Sequence, residues 1–322
     1  MIVAELPSWF VLVFSWIFGG LWGSFANVVV YRWPREMSVA SPPSHCPHCG
    51  VGVKPYDNVP VFAWLWLRGK CRACREPISW RYPAVELVFS LLSVAIAWRL
   101  FRGESALALS FGAALGHYLS RFAVAFALGV TALIDLDEML VPHFTRYFAL
   151  APLAAAALLP RVSPSVDLLT AIAGAGLGYF GLRALFIDGF ALLTGRPGMG
   201  LGDAEVLIVV GAALGPAGVL FALGAGALQG VIATVVATVM GVRVGPAHAA
   251  DVEDVEDFAD EQPPIDQVPS DPAEESLGES TGSASTPPEK MAKIPFVPFL
   301  ALGALEYLLG ADVWVARWLS GQ

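Results

Sequence analysis

Long apolar runs alternate with polar segments along the chain, and this pattern predicts membrane-spanning helices. An apolar run of roughly eighteen residues or more is long enough to cross a bilayer as a helix. The expected fold class is therefore an all-α membrane protein with about eight transmembrane helices. We place the spans at about residues 9–30, 83–100, 105–134, 144–159, 166–186, 203–214, 219–242 and 294–309.

The composition supports a membrane protein and argues against a soluble one. Of the 322 residues, 56% are hydrophobic and only 15% are charged, whereas a soluble domain carries nearer a quarter charged residues. We expect no cleaved signal peptide, because the first span is too long and no small-residue cleavage pattern follows it.

The formal net charge of −9 comes from one acidic segment. Residues 251–289 hold 13 of the 28 acidic residues and none of the 19 Lys and Arg residues, so 15 acids face 19 bases elsewhere. The segment 243–293 is rich in Asp, Glu, Pro and Ser, which predicts a disordered linker. It separates the expected membrane core (82–242) from the last span (294–322).

The polar segment from 31 to 81 is basic, with eight Lys and Arg residues against three acids. By the positive-inside rule this segment is cytoplasmic, so the first span (1–30) has its N-terminus outside. Topology and anionic lipid explain this basicity, and we therefore predict no nucleic-acid partner.

The four cysteines form two C-x-x-C pairs within this basic segment, Cys46–Cys49 and Cys71–Cys74. Two such pairs, separated by 21 residues, predict a structural Zn²⁺ site in a small zinc-ribbon-like domain. Two redox dithiols or two disulfides are the alternatives, and a reducing cytoplasm favours the metal.

Two acids stand at the ends of apolar runs and are the candidate catalytic residues. Asp203 follows a run with glycines at 198, 200 and 202, and it stands at the N-cap or first turn of the next helix. Asp135 ends the third predicted span, and the eight-span topology places both acids on the cytoplasmic face. An acid at membrane depth indicates a functional site, and paired carboxylates that share a proton can activate water, as in aspartyl proteases.

The two acids are not expected to be equivalent. A helix N-terminus stabilises the Asp203 carboxylate, whereas Asp135 lies near a helix C-terminus and is easier to protonate. We therefore predict Asp203 as the base and Asp135 as the acid of a coupled pair. Asp137 is turned about 200° away from Asp135 around a helix, whereas Glu138 can share its face. The alternative is that both aspartates only cap helices at the water interface.

Several motifs together resemble a known family, and all but one precede the acidic linker. These motifs are Gly23-Ser-Phe-Ala-Asn-Val-Val-Val-Tyr-Arg-Trp-Pro34, the paired C-x-x-C segment, Arg81-Tyr-Pro-Ala-Val-Glu86, Ile134-Asp135-Leu-Asp-Glu-Met-Leu-Val-Pro142, Gly198-Met-Gly-Leu-Gly-Asp203 and Ile294-Pro-Phe-Val-Pro-Phe-Leu300. In this combination the chain resembles the bacterial type IV prepilin peptidases, which are GxGD-type intramembrane aspartyl proteases.

The resemblance implies a function and a location. The catalytic aspartates of the family match Asp135 and Asp203, and its members cleave the leader of type IV prepilins and pseudopilins at the cytoplasmic face of the inner membrane. Many members also N-methylate the new terminus with S-adenosylmethionine, an activity associated with the cysteine-bearing domain. Partners implied are prepilin substrates, membrane lipid, and pilus or type II secretion machinery.

Two departures from the family pattern stand out. Glu205 occupies a position where the family often has Lys, which removes a basic neighbour from Asp203. The acidic linker is unusual, and it serves either as a solvated spacer or as an attractant for basic leaders. The competing function is a non-catalytic zinc-binding scaffold for pilus or secretion assembly, which would tolerate loss of either aspartate. A methyltransferase without protease activity is a third hypothesis.

Overall fold

The chain folds almost entirely into helices. The computed structural model describes residues 6–101, 109–160, 166–195, 200–242 and 294–320. Within these ranges no β-strand forms, and the β-structure is limited to isolated bridges such as His45–Gly52 and Lys70–Pro77. The helices are α1 (Ser8–Arg32), α2 (Phe62–Trp66), α3 (Arg81–Phe101), α4 (Phe111–Glu138), α5 (Leu150–Leu158), α6 (Leu168–Gly176), α7 (Phe190–Thr194), α8 (Leu201–Val239), α9 (Val297–Glu306) and α10 (Asp312–Ser320).

The predicted fold class is confirmed, whereas the predicted number of spans is approximate. Among the described residues, 6 helices are long and apolar enough to cross a membrane. The apolar helix Thr145–Leu158, predicted as a full span, is shorter than the others. The spans predicted at 203–214 and 219–242 both lie in α8, which is interrupted at Gly215 (φ 72°, ψ −174°). The interruption falls there because glycine tolerates positive φ and Pro216 has no backbone N–H.

Glycines bring α1 and α3 into close contact. A Cβ atom on Gly19 would lie 2.4 Å from the Phe89 carbonyl oxygen, and one on Gly23 would lie 2.8 Å from the Glu86 Cα. Neither distance is sterically allowed, so only glycine permits this helix spacing. The packing agrees with the general use of small residues between membrane helices.

The central helix α4 packs into two separate hydrophobic clusters. Phe122 and Ile134 join the cluster that contains residues of α1 and α3. Val124 and Leu128 join the cluster that contains residues of α8 and α9. The two sides of α4 therefore face different parts of the helical bundle.

The contact between α6 and α8 also depends on glycine. A Cβ atom on Gly211 would lie 2.1 Å from the Gly174 carbonyl oxygen, and one on Gly178 would lie 2.4 Å from the Leu207 carbonyl oxygen. After Gly176 the helical run continues through wider π-type turns at Leu177–Gly181 and Arg183–Gly189 before α7.

The chain divides into two compact units. One unit comprises residues 1–229 and 296–322, and the other comprises residues 230–295. The predicted disordered linker at 243–293 lies outside the described residues, as do residues 196–199 of the glycine-rich run.

We expect Gly211→Ala to destabilise the protein, because the added methyl group would meet backbone atoms of α6. Overpacking of this kind costs about 1–3 kcal/mol. The matched control is Gly224→Ala in the same helix, where nothing lies within 4 Å of the added Cβ, and where alanine is the better helix former. Thermal unfolding in detergent should show a lower midpoint for Gly211→Ala alone. Equal midpoints for the two variants would contradict this packing.

Candidate active site and metal centre

Asp135 lies in the last turn of α4, as predicted, and its side chain is buried. The helix ends where Met139 adopts a left-handed conformation (φ 54°) and its N–H donates to the Asp135 carbonyl oxygen at 3.0 Å. The carboxylate Oδ2 accepts a hydrogen bond from the Val297 backbone N–H at 3.2 Å. The residue is only 6% exposed, so α9 supplies a donor to a carboxylate largely shielded from water.

Asp203 lies in the first turn of α8, again as the sequence predicted. Its carboxylate accepts a hydrogen bond from the Gly200 backbone N–H, and it interacts electrostatically with Asp135. The structure therefore brings the two candidate acids into one site, at the C-terminal end of α4 and the N-terminal end of α8.

The backbone at Gly202 contacts the chain that follows α4. A Cβ atom on Gly202 would lie 2.5 Å from the Val141 Cβ. Because a side chain at 202 would collide with Val141, the glycine allows the segment after Asp135 to lie against the helix that begins beside Asp203. This contact gives a steric reason for one glycine of the predicted loop.

The neighbouring acids point away from the aspartate pair. Asp137 forms an ion pair with Arg81 at 2.5 Å, in agreement with its predicted separation from Asp135. Glu138, which helical geometry allowed on the Asp135 side, instead pairs with Arg35 at 3.1 Å. Both acids therefore connect the end of α4 to residues that flank the cysteine-bearing segment.

Glu205 is buried two residues beyond Asp203 in α8 and faces the side chains of Arg146 and His143. Its Oε1 lies 3.1 Å from an Arg146 guanidinium nitrogen and 3.3 Å from His143 Nδ1. Its Oε2 is buried and has no hydrogen-bond partner within the described part of the chain. The acid that replaces the expected Lys thus lies against Arg146 and His143 from the α4–α5 connection.

The four cysteines lie together and are positioned to bind a metal ion. All four Sγ atoms lie within 4.8 Å of one another, and none of the four is in a disulfide. The Cys46–Cys74 and Cys49–Cys71 Sγ distances are 3.8 and 4.0 Å. The predicted ligand set therefore converges on one point.

The two C-x-x-C turns share one backbone pattern. The first cysteine of each turn donates its N–H five residues ahead, Cys46 to Val51 and Cys71 to Glu76. The residue four positions after that cysteine has a positive φ, which is 68° at Gly50 and 64° at Arg75. This shared turn aims both thiols of a pair in the same direction.

Backbone amides also favour the thiolate form of one ligand. The N–H groups of Cys74 and Ala73 donate to the Cys71 sulfur and lower its pKa to about 6. A bidentate pair holds the second turn against the segment Pro55–Asp57, with Arg72 Nε 2.7 Å from Asp57 Oδ2. The Arg72 guanidinium also lowers the pKa of Asp57.

Val297 and Glu86 lie in motifs that resemble the family, and both make structural contacts that the sequence did not predict. The Val297 N–H reaches Asp135 from a segment 162 residues away in sequence. Glu86 Oε2 accepts a hydrogen bond from the Val61 N–H at 2.7 Å. Both contacts involve a backbone N–H, which side-chain patterns in a sequence do not reveal.

Two family models match this chain over the regions just described. The bacterial peptidase A24 N-terminal domain matches residues 17–100, which hold α1, the four cysteines and α3. The type IV leader peptidase family matches residues 122–239, which hold Asp135 and Asp203. The chain belongs to the type IV leader peptidase family.

Curated relatives in this family carry one shared name, prepilin leader peptidase/N-methyltransferase. The Aeromonas hydrophila protein is 38% identical over 231 residues, which cover 64% of this chain and 73% of the relative. The Myxococcus xanthus protein is 30% identical over 351 residues, which cover 99% of this chain and 96% of the relative. No solved structure matches this chain significantly.

We expect Glu205→Lys to disrupt the start of α8, because it would put a positive charge beside Arg146 at a position that is only 9% exposed. Burial of a charge without a partner of opposite sign is costly. The control is Asp188→Lys, which reverses an exposed pair with Arg183 at 3.3 Å and should cost much less. Thermal unfolding of both variants measures the difference. Restored stability in Glu205→Lys combined with Arg146→Glu would support the ion pair, and equal losses in the two single variants would argue against it.

Proposed function

We propose that this protein is a membrane-embedded aspartic endopeptidase that removes the leader peptide from type IV prepilins or pseudopilins. The proposed catalytic residues are Asp135 and Asp203. The observation that carries the proposal is their convergence on one site, in a chain whose residues 122–239 match the type IV leader peptidase family.

The geometry supports unequal roles for the two aspartates. We propose Asp203 as the base, because it lies at the positive end of the α8 dipole. It would take a proton from water as the water oxygen attacks the scissile carbonyl carbon. Asp135 would donate a proton to the leaving nitrogen as the C–N bond breaks. The pair shares protons during the cycle and titrates as one coupled unit.

We place the protein in the bacterial inner membrane, with the aspartate pair on the cytoplasmic side. The basic segment between α1 and α3 supports this orientation. The ion pair between Arg81 and Asp137 connects the flank of that segment to the same end of α4 that carries Asp135. The cysteine-bearing domain (31–81) and the aspartate pair then face the same compartment, where basic prepilin leaders are found.

We also propose that the protein N-methylates the new terminus of its product, as the shared name of its relatives suggests. S-adenosylmethionine would supply the methyl group. Transfer breaks the methyl–sulfur bond, forms a bond to the product amine, and releases an amine proton together with S-adenosylhomocysteine.

The metal we propose at the four cysteines is Zn²⁺. A tetrahedral thiolate site with Zn–S distances of about 2.3 Å requires sulfur atoms about 3.8 Å apart. The Cys46–Cys74 distance of 3.8 Å and the Cys49–Cys71 distance of 4.0 Å agree with this requirement. Such a closed four-sulfur site is structural and leaves no position for substrate.

A scaffold for pilus or secretion assembly without catalysis is the weaker alternative. A scaffold has no need for a buried carboxylate close to a second one, because burying such groups costs free energy. A protease can also associate with that machinery. The requirement for the two aspartates is therefore what distinguishes the protease from the scaffold.

Asp135→Asn and Asp203→Asn should each abolish leader cleavage, because each removes one proton carrier from the pair. The control is Asp188→Asn, which changes an exposed carboxylate outside the site and should leave cleavage unchanged. Incubation of each purified variant with a prepilin, followed by mass spectrometry, measures loss of the leader. Near-normal cleavage by either of the first two variants would reject the aspartyl mechanism.

The purified protein should contain about one Zn²⁺ per chain, and Cys46→Ser should lose it, because one missing thiolate opens the tetrahedral site. Acidification should also release the metal, since protons compete for thiolates. Elemental analysis at neutral and lower pH measures both effects. A metal-free protein with oxidised cysteines would contradict the zinc assignment.

A further inference from the structure

A cavity lies on the side of the α4 terminus that the aspartate pair does not use. Its volume is about 540 Å³, within the range of roughly 300–1,000 Å³ for small-molecule sites. It is lined by residues from the ends of α1, α3 and α4, including Asn27, Tyr31, Arg81 and Asp137.

The cavity combines charges of both signs with aromatic and apolar walls. Its charged groups form two pairs, Arg35 with Glu138 and Arg81 with Asp137, and these side chains are 31–46% exposed. The rings of Tyr31 and Tyr82 add aromatic surface, and both residues are exposed in this structure. The remaining wall includes apolar side chains of α3 and α4.

We infer that this cavity is the binding site for S-adenosylmethionine, an inference that rests on the methylation part of the proposed function. The chemistry of the lining groups fits the cofactor. The guanidinium groups of Arg35 and Arg81 match its carboxylate, and the carboxylates of Asp137 and Glu138 match its ammonium, sulfonium and ribose hydroxyl groups. The Tyr82 ring offers a stacking surface for adenine, and the Tyr31 ring attracts cations, as it does the Arg35 guanidinium 4.7 Å from its centroid.

The position of the cavity relative to the aspartate pair also supports the inference. Asp137 is displaced from Asp135 by about 200° around α4 and by about 3 Å along it. The two sites therefore lie on opposite sides of one helix end, which is roughly 10 Å across with its side chains. A new amine formed at Asp135 and Asp203 needs to move only about this distance to reach the cavity.

This arrangement also explains why the N-terminal region and the aspartate pair belong to one chain. Arg35 and Arg81 flank the cysteine-bearing segment, and they hold Glu138 and Asp137 at the cavity wall. The metal-stabilised domain would thereby fix the cofactor site without contributing a metal to the reaction.

Binding of radioactive S-adenosylmethionine to the full-length protein in detergent tests the inference directly. Asp137→Asn and Tyr31→Ala should each weaken binding at least tenfold, whereas the control Asp188→Asn should bind as the unchanged protein does. Melting temperature and zinc content measured on the same samples identify any variant that is misfolded. Ultraviolet cross-linking of the bound cofactor, followed by peptide mapping, should label the peptide that contains Tyr31 or Tyr82.

Three outcomes would overturn the inference, and they are distinguishable. Tight binding that survives both substitutions, with cross-links elsewhere, would reject the cavity and leave methylation intact. Absence of both cofactor binding and methylation in the unchanged protein would reject the methylation and the cavity together. A raised KM for prepilin cleavage with unchanged cofactor binding would identify the cavity as a groove for the basic leader.

Discussion

Burial of the Asp135 carboxylate is the constraint on which the proposed site depends. A carboxylate that is 6% exposed requires a donor in place of water, and the backbone N–H of Val297 provides one. For this donor to reach Asp135, α9 must pack against α4. For Asp203 to lie near Asp135, α8 must begin beside the same end of α4. Gly202 allows the chain that follows Asp135 to lie closely against the start of α8.

Local features of the site were predictable from the sequence, because each depends on a few neighbouring residues. The spacing of Cys46, Cys49, Cys71 and Cys74 predicted their convergence, since each C-x-x-C turn sets the direction of its own thiols. The length of the apolar run predicted Asp135 at the end of one helix, and the glycine-rich run predicted Asp203 at the start of another. The predicted break between the spans at 203–214 and 219–242 coincides with the interruption of α8 at Gly215.

Long-range contacts were less accessible to sequence reasoning. The Val297 contact involves the backbone N–H, which every residue except proline carries. The residue type at this position therefore does not predict the contact. Glu205 was interpreted as the loss of a basic neighbour, whereas the structure places His143 and Arg146 against it. The charge at position 205 is therefore balanced by the chain that follows α4. Apolar composition also predicted a full span at 144–159, where the helix is shorter.

The packing of α9 has a consequence for how the chain can be assembled. A Cβ atom on Gly303 would lie 3.1 Å from the Ala222 carbonyl oxygen, and one on Gly226 would lie 3.2 Å from the Leu300 nitrogen. Close packing of this kind holds α9 against α8 through contacts between the two helices themselves. Two polypeptides divided within the 243–293 segment should therefore reconstitute the site when produced together.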